Sequence, residues 1–183
     1  MVELPGLFQH GPAEAMYGRG AVLSDDGVYR YRLWRIWDDD RAPTAFLMLN
    51  PSTADAERDD PTLRRCVAFA RRWGAGGGVV LVNLFAFRAT SPDEFARAHR
   101  QGRDVRGPER DEHLRKVFSV ADVVVCAWGA HPLVDNETVR SVLSLIPSEI
   151  EVSCLGRTKD GAPRHPLYLR ADAAREPYEV PRG

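Results

Sequence analysis

Polar residues replace apolar ones at four places in this sequence, each directly after a short apolar run. They are Asn50-Pro51-Ser52-Thr53, then Asn83 through Arg88-Ala89-Thr90, then Trp128-Gly129, and finally Gly156 through Lys159 to His165-Pro166. Each has a local explanation when taken alone: Asn-Pro is a common turn, Asn83 satisfies a loop, and Gly129 makes a tight bend. Four together at the ends of apolar runs point instead to one ligand site. His165 sits between Pro163 and Pro166, and the two prolines stiffen the loop that holds its imidazole. A histidine held in a fixed direction can stabilise a developing anion. His131, next to Pro132, is a weaker candidate of the same kind, while His10, His99 and His113 read as surface residues.

The stretch from Asn50 to Thr62 is the densest in hydroxyls and carboxylates, with Ser52, Thr53, Asp55, Asp59 and Asp60 between an apolar run and a helix start. One of Asp59 and Asp60 is expected to cap that helix, and Asp55 has solvation as its plain alternative. Hard cations prefer such oxygen ligands, but no histidine or recognisable loop pattern accompanies these carboxylates, so no metal is expected. Ser52 and Thr53 lack a base at a motif spacing, which leaves a serine hydrolase without support. Neither a nucleophile elbow, a phosphate-binding P-loop, a dinucleotide-binding glycine motif nor a zinc-protease helix occurs.

The elements that must position these residues follow from periodicity. Residues 29–37 are aromatic and branched with an alternating start, which predicts a strand with one buried face. Four short apolar runs, Thr44 to Leu49, Val79 to Phe87, Asp122 to Trp128 and Ile150 to Leu155, predict strands covered on both sides. Between them lie helical patterns. One begins at Asp60-Pro61 and ends at Gly74, a short one begins at Ser91-Pro92, a third begins at Pro108, and a fourth is capped by Asn136. Strands alternating with helices predict an α/β fold, a three-layer α/β/α sandwich on a mostly parallel four-stranded central sheet, with the early aromatic strand available to add antiparallel at an edge. In open parallel sheets, ligands bind outside the carboxyl ends of the strands, which is where the four polar clusters fall. Residues 1–28 read as an irregular arm, 29–170 as a single domain, and 171–183 as an extended tail.

Composition bounds the function classes. A chain of 183 residues with 44% hydrophobic and 28% charged residues is an ordinary single globular domain. Its net charge of −1 argues against strong, sequence-independent duplex binding. Of the 25 cations only Lys116 and Lys159 are lysine; arginine suits bidentate phosphate contacts, although genomic base composition accounts for much of the bias. Cys66, Cys126 and Cys154 are far apart in apolar runs, with neither zinc spacing nor a paired framework, and read as buried thiols in a reducing compartment. No apolar run approaches the roughly 18 residues that span a bilayer, so the expectation is a cytoplasmic protein with no membrane partner.

The run Leu49-Asn50-Pro51-Ser52-Thr53-Ala54-Asp55-Ala56, with Asp60-Pro61-Thr62, Asn83-Leu84-Phe85, Arg88-Ala89-Thr90, Ala127-Trp128-Gly129 and His165-Pro166-Leu167, resembles the bacterial and phage family catalogued as domain of unknown function 1643. The resemblance covers about residues 29 to 170, and the family name supplies no activity. More distantly, the order of motifs is similar to that of the uracil-DNA glycosylase superfamily: Asn-Pro after the first core strand, Asn after the next, Gly after the third, and His-Pro after the last. Ser52 replaces the usual glycine after Asn-Pro, Leu167 stands where a serine is common, and the acidic water-activating position of the most active members is absent.

That second resemblance implies hydrolysis of an N-glycosidic bond. Asn50 would position the attacking water, Asp55 would orient or deprotonate it, and His165 would stabilise the departing base. Pro51, Ser52, Thr53, Asn83, Trp128 and Gly129 would then surround the base, with Asn83 reading its edge, while Arg88 and Lys159 would hold phosphate. No iron–sulfur cluster or other cofactor is implied, since cluster-bearing members need four cysteines. Two other readings stand beside this one: an enzyme acting on free or modified nucleotides, and a non-catalytic module that binds nucleic acid or nucleotide.

Overall fold

The computed structural model describes Met16, residues 18–74 and residues 76–179. Its centre is a ladder of four parallel strands whose residues alternate between two apolar layers. The strands are β3 (Thr44–Met48), β4 (Gly78–Asn83), β5 (Val123–Cys126) and β6 (Glu151–Cys154), in the spatial order β4-β3-β5-β6. Ala45, Leu47, Val80, Val82, Val124 and Cys126 contribute to one layer, and Phe46, Met48, Val79, Leu81, Val123 and Val125 to the other. A strand buried on both faces has no polar side to show, which is why these runs are continuous in the sequence.

Helices supply the cover on both faces. Helix α1 (Pro61–Trp73) packs Leu63, Cys66, Phe69 and Ala70 onto the second layer. On the first layer lie Phe95 and Ala98 of α2 (Pro92–Arg100), Leu114, Val117 and Phe118 of α3 (Arg110–Phe118), and Val139 and Val142 of α4 (Asn136–Leu143). Their ends are set by side chains. The Asp60 carboxylate accepts from the Leu63 N–H at 2.7 Å, Pro61 needs no donor at the first helical position, and Gly74 closes α1 with a left-handed φ of 62°. Ser91 accepts from the Glu94 N–H at 3.1 Å, and Glu94 reaches back to the N–H and hydroxyl of Thr90.

The four central parallel strands and the aromatic strand available at an edge, as the sequence predicts, do not make up the whole sheet. Among the described residues it has seven strands, in the order β1-β2-β4-β3-β5-β6-β7, with antiparallel additions at both edges. Strand β2 (Arg30–Ile36) runs antiparallel to β4, β1 (Arg19–Leu23) antiparallel to β2, and β7 (Glu176–Pro177) antiparallel to β6. Strand β1 lies inside the segment read as an irregular arm, whose residues 1–15 and 17, like 180–183 of the tail, lie outside the described residues. The short Arg-Gly-Ala-Val-Leu run carries too few apolar residues to announce a strand, and its cross-strand partners in β2 supply the pairing.

Several boundaries also differ. The β4 ladder ends at Asn83, not Phe87, although the Leu84 and Phe85 amides still donate to the carbonyls of Met48 and Leu49. Helix α4 is capped by Asp135, whose carboxylate accepts from the Thr138 N–H at 2.7 Å; Asn136 is its first helical residue. Strand β2 is buried through Trp34, Arg30 and Arg32 included, because the 54–59 loop and α3 cover sides that alternation had assigned to water. Among the described residues, no helix is long and apolar enough to cross a membrane.

Candidate functional site

The carboxyl ends of β3, β4 and β5, with the loop after β6, surround a cavity of about 470 Å³. That volume falls in the usual range for small-molecule sites, roughly 300–1,000 Å³. Asn50, Ser52, Asn83, Trp128, Gly129 and His165 line it, so six of the residues expected from the sequence converge on one space.

Asn50 is held by a double stitch between strand ends. Its side-chain Nδ2 donates to the carbonyls of Pro51 at 3.0 Å and Ala89 at 3.3 Å, and the Ala89 N–H donates to the Pro51 carbonyl at 3.0 Å. With the amide nitrogen committed to backbone, Oδ1 is the atom Asn50 presents as an acceptor. Asn83 ends β4, is 3% exposed, and its Oδ1 is buried without a hydrogen-bond partner. A buried amide left without its partner costs about 1–3 kcal/mol, which a ligand donor would offset.

His165 begins the 3₁₀ turn Pro166–Tyr168, and its Nδ1 accepts from the Leu167 N–H at 3.3 Å. An accepting nitrogen carries no proton, so the neutral ring holds its hydrogen on Nε2 and acts as a donor there. Burial lowers the pKa of His165, with Asp60 pulling weakly the other way. His131, also at the cavity, repeats the pattern: Nδ1 accepts from the Leu133 N–H at 3.2 Å, and burial lowers its pKa. The turn carrying His165 is fastened from α1 by Arg65, which donates to the carbonyls of Pro166 and Leu169. Gly129 adopts a left-handed φ of 74°, and its N–H donates to the Pro163 carbonyl at 2.9 Å, drawing the end of β5 against the histidine loop. A Cβ at position 129 would sit 3.4 Å from that of His165.

The other expected residues lie elsewhere. Asp55 does not line the cavity; its carboxylate accepts from the N–H groups of Glu57 and Arg58 at 2.9 and 2.7 Å, and these bonds hold its pKa below the usual carboxylate range. Pro51 is buried behind the stitch, and Thr53 is exposed outside the cavity. Arg88 donates to the Gly27 carbonyl at 3.1 Å, and Lys159 is exposed on a turn; neither lines the cavity. His113 is buried and stacks on Tyr31 at 4.7 Å, so it is not a surface residue; His10 lies outside the described residues.

The cavity also contains residues to which the sequence analysis gave no individual site role. Asp60 is the one carboxylate lining it, and Thr62 follows at the start of α1, with Thr90 and Ser91 at the start of α2. Arg164 stands at the wall, and Arg30 of β2 lines the cavity while only 3% exposed. Arg30 donates Nη1 to the Ala54 carbonyl at 2.7 Å; its Nε has no partner. Tyr168 and Leu167, at 78% and 41%, are the exposed large apolar side chains among the described residues, and Tyr168 also borders the cavity. No cluster of three or more metal-ligating side chains occurs among the described residues.

No curated protein and no solved structure matches the chain. A family described as "Protein of unknown function (DUF1643)" matches residues 30–167, a span that holds β2 through the His165 turn and every cavity residue except Tyr168, and the chain belongs to that family.

Proposed function

We propose that the cavity receives a nucleobase-bearing ligand and hydrolyses its N-glycosidic bond. The observation that carries this reading is the convergence of Asn50, Asn83 and His165 on one cavity with an amide acceptor and an imidazole N–H uncommitted. In this mechanism Asn50 Oδ1 holds a water, which attacks the sugar carbon. The bond to the base breaks, its electron pair leaves with the base, and the His165 Nε2–H stabilises the resulting anion. Asp60 takes the proton from the water, the part that the sequence alone gave to Asp55; Asn83 contacts the base edge, and Tyr168 at the rim offers a stacking face. The order Asn50-Pro51, Asn83, Gly129, His165-Pro166 after successive parallel strands supports a fold and mechanism like those of the uracil-DNA glycosylase superfamily.

A second reading, an enzyme acting on free or modified nucleotides, is favoured by the location of Arg88 and Lys159. The two cations expected to track a nucleic-acid backbone do not line the cavity. Release of free base, measured with a panel of oligonucleotides and of nucleosides and nucleotides carrying normal and damaged bases, tests both. Release lost in Asn50→Ala and His165→Ala supports hydrolysis, and the substrate form that reacts decides between polymer and free nucleotide. Ligand binding without release identifies a binding module and overturns the hydrolytic reading.

A further inference from the structure

Arg30 is the least expected residue of the cavity. It lies in a strand, is 3% exposed, and donates from Nη1 to the Ala54 carbonyl, while Nε is buried without a partner. A guanidinium offers five N–H donors in a planar fork, so one backbone carbonyl leaves most of them unused. Among the described residues, no carboxylate lies within ion-pair distance of it. Burial lowers its pKa to about 10, with Asp60 pulling the other way from beyond ion-pair distance, which still leaves it charged at neutral pH. A buried charge without a carboxylate in direct contact carries a desolvation penalty of several kcal/mol, roughly, which a group of opposite sign placed against it would offset.

The surroundings favour an anion over a neutral group. The N-terminus of the 13-residue α1 opens on the cavity through Thr62, and that of α2 through Thr90 and Ser91, so partial positive charge from two helices faces the same space. Arg164 adds a second cation. Asp60 opposes them, but one of its oxygens already accepts from the Leu63 N–H. Two arginines and two helix starts stand against that one carboxylate.

We infer that Arg30 forms the core of an oxyanion subsite inside the cavity, and that the ligand brings a phosphate or carboxylate group into it alongside its base. The inference rests on reading the cavity as a ligand site and is independent of the hydrolytic step. The Nε edge of the guanidinium would take one oxyanion oxygen, relieving the buried donor and placing a negative charge in direct contact with the cation.

The test uses the full chain and inorganic phosphate as probe, with acetate as the carboxylate arm and chloride at matched ionic strength as control. Thermal stabilisation and the ¹⁵N shift of the Arg30 Nε–H are followed in the wild type, and binding is repeated in Arg30→Lys and Arg30→Gln. Phosphate or acetate should raise the melting temperature, shift the Arg30 resonance, and bind at least tenfold more weakly to Arg30→Gln. The stronger of the two probes identifies the group the ligand carries. Should Arg30→Gln not fold, the wild-type resonance decides alone. An unmoved Arg30 resonance, or equal binding by wild type and Arg30→Gln, overturns the subsite. Base release is scored separately, so a bound anion without release would sink the hydrolytic reading and leave the subsite standing.

Discussion

The side-chain amide of Asn50 donates to the backbone carbonyl of Ala89 at 3.3 Å, across 39 residues of chain. One amide therefore both closes the end of β3 against the segment after β4 and offers its oxygen to the cavity. Asn50→Asp would turn acceptors toward the carbonyls of Pro51 and Ala89. It should cost about 1–3 kcal/mol in thermal or denaturant unfolding, more than Asn50→Ala, which only removes the bonds. Base release should fall by roughly 10²-fold or more in either variant, measured by chromatography of the freed base.

Asp60 has two roles that one pair of variants separates. Asparagine caps a helix about as well as aspartate, so Asp60→Asn should keep the melting temperature while lowering turnover. Asp60→Ala should lose both, with about 1 kcal/mol of stability gone with the cap. Unchanged turnover in Asp60→Asn would remove it from the mechanism.

Gly129→Ala places a side chain at a φ of 74°, with its Cβ 3.4 Å from that of His165. The strained backbone should cost about 1 kcal/mol. Because the Gly129 N–H holds the Pro163 carbonyl, the shift should propagate to the histidine loop and weaken ligand binding beyond the stability loss. Titration calorimetry beside a melting curve distinguishes the two effects.

Burial lowers the pKa of both His165 and His131. The unfolded chain, with histidines near a pKa of about 6.5, then binds protons that the folded chain refuses. Stability from these residues is full above that value and is lost as pH falls through it toward the lower folded pKa values. Melting curves from pH 8 to pH 5 should show the decline, and His165→Gln should flatten it. A decline of the same slope in that variant would assign the pH dependence to other groups.

Burial raises the thiol pKa of Cys66, Cys126 and Cys154, and all three are free and buried. Thiolate, the reactive form, is therefore scarce in the native protein. Ellman's reagent at pH 8 should label none of them within minutes in buffer and all three in guanidinium chloride; rapid native labelling would contradict the packing of β5, β6 and α1.

The central strands were legible because both of their faces are apolar, and α1 was legible because Asp60, Pro61 and Gly74 mark its ends chemically. The same logic located Asn50, Asn83, Trp128 and His165, each a change of chemistry where a buried strand or its loop meets the cavity. Arg30 was not legible. An arginine in an alternating strand reads as the solvent side, and only the 54–59 loop folding over β2 buries it. Asp55 and Asp60 are five residues apart in one polar stretch and both accept local backbone N–H bonds, Asp55 inside a turn away from the cavity and Asp60 at the start of α1, which borders it. Strand β1 escaped for the opposite reason, since its identity comes from pairing with β2 and hardly from its own composition.

The position of the His165 turn, after β6 in the chain, sets when the site is completed during synthesis. A chain leaving the ribosome amino end first has made Arg30, Asn50, Asn83 and the sheet centre before it reaches residue 151, where β6 begins. His165 and the turn that holds it come later still, followed by β7 on the far edge of β6. Until then the half-built cavity lacks the wall that the His165 loop supplies and stays open to water on that side. The nascent polypeptide would thus make most of its core and its amide groups before the histidine that finishes the site.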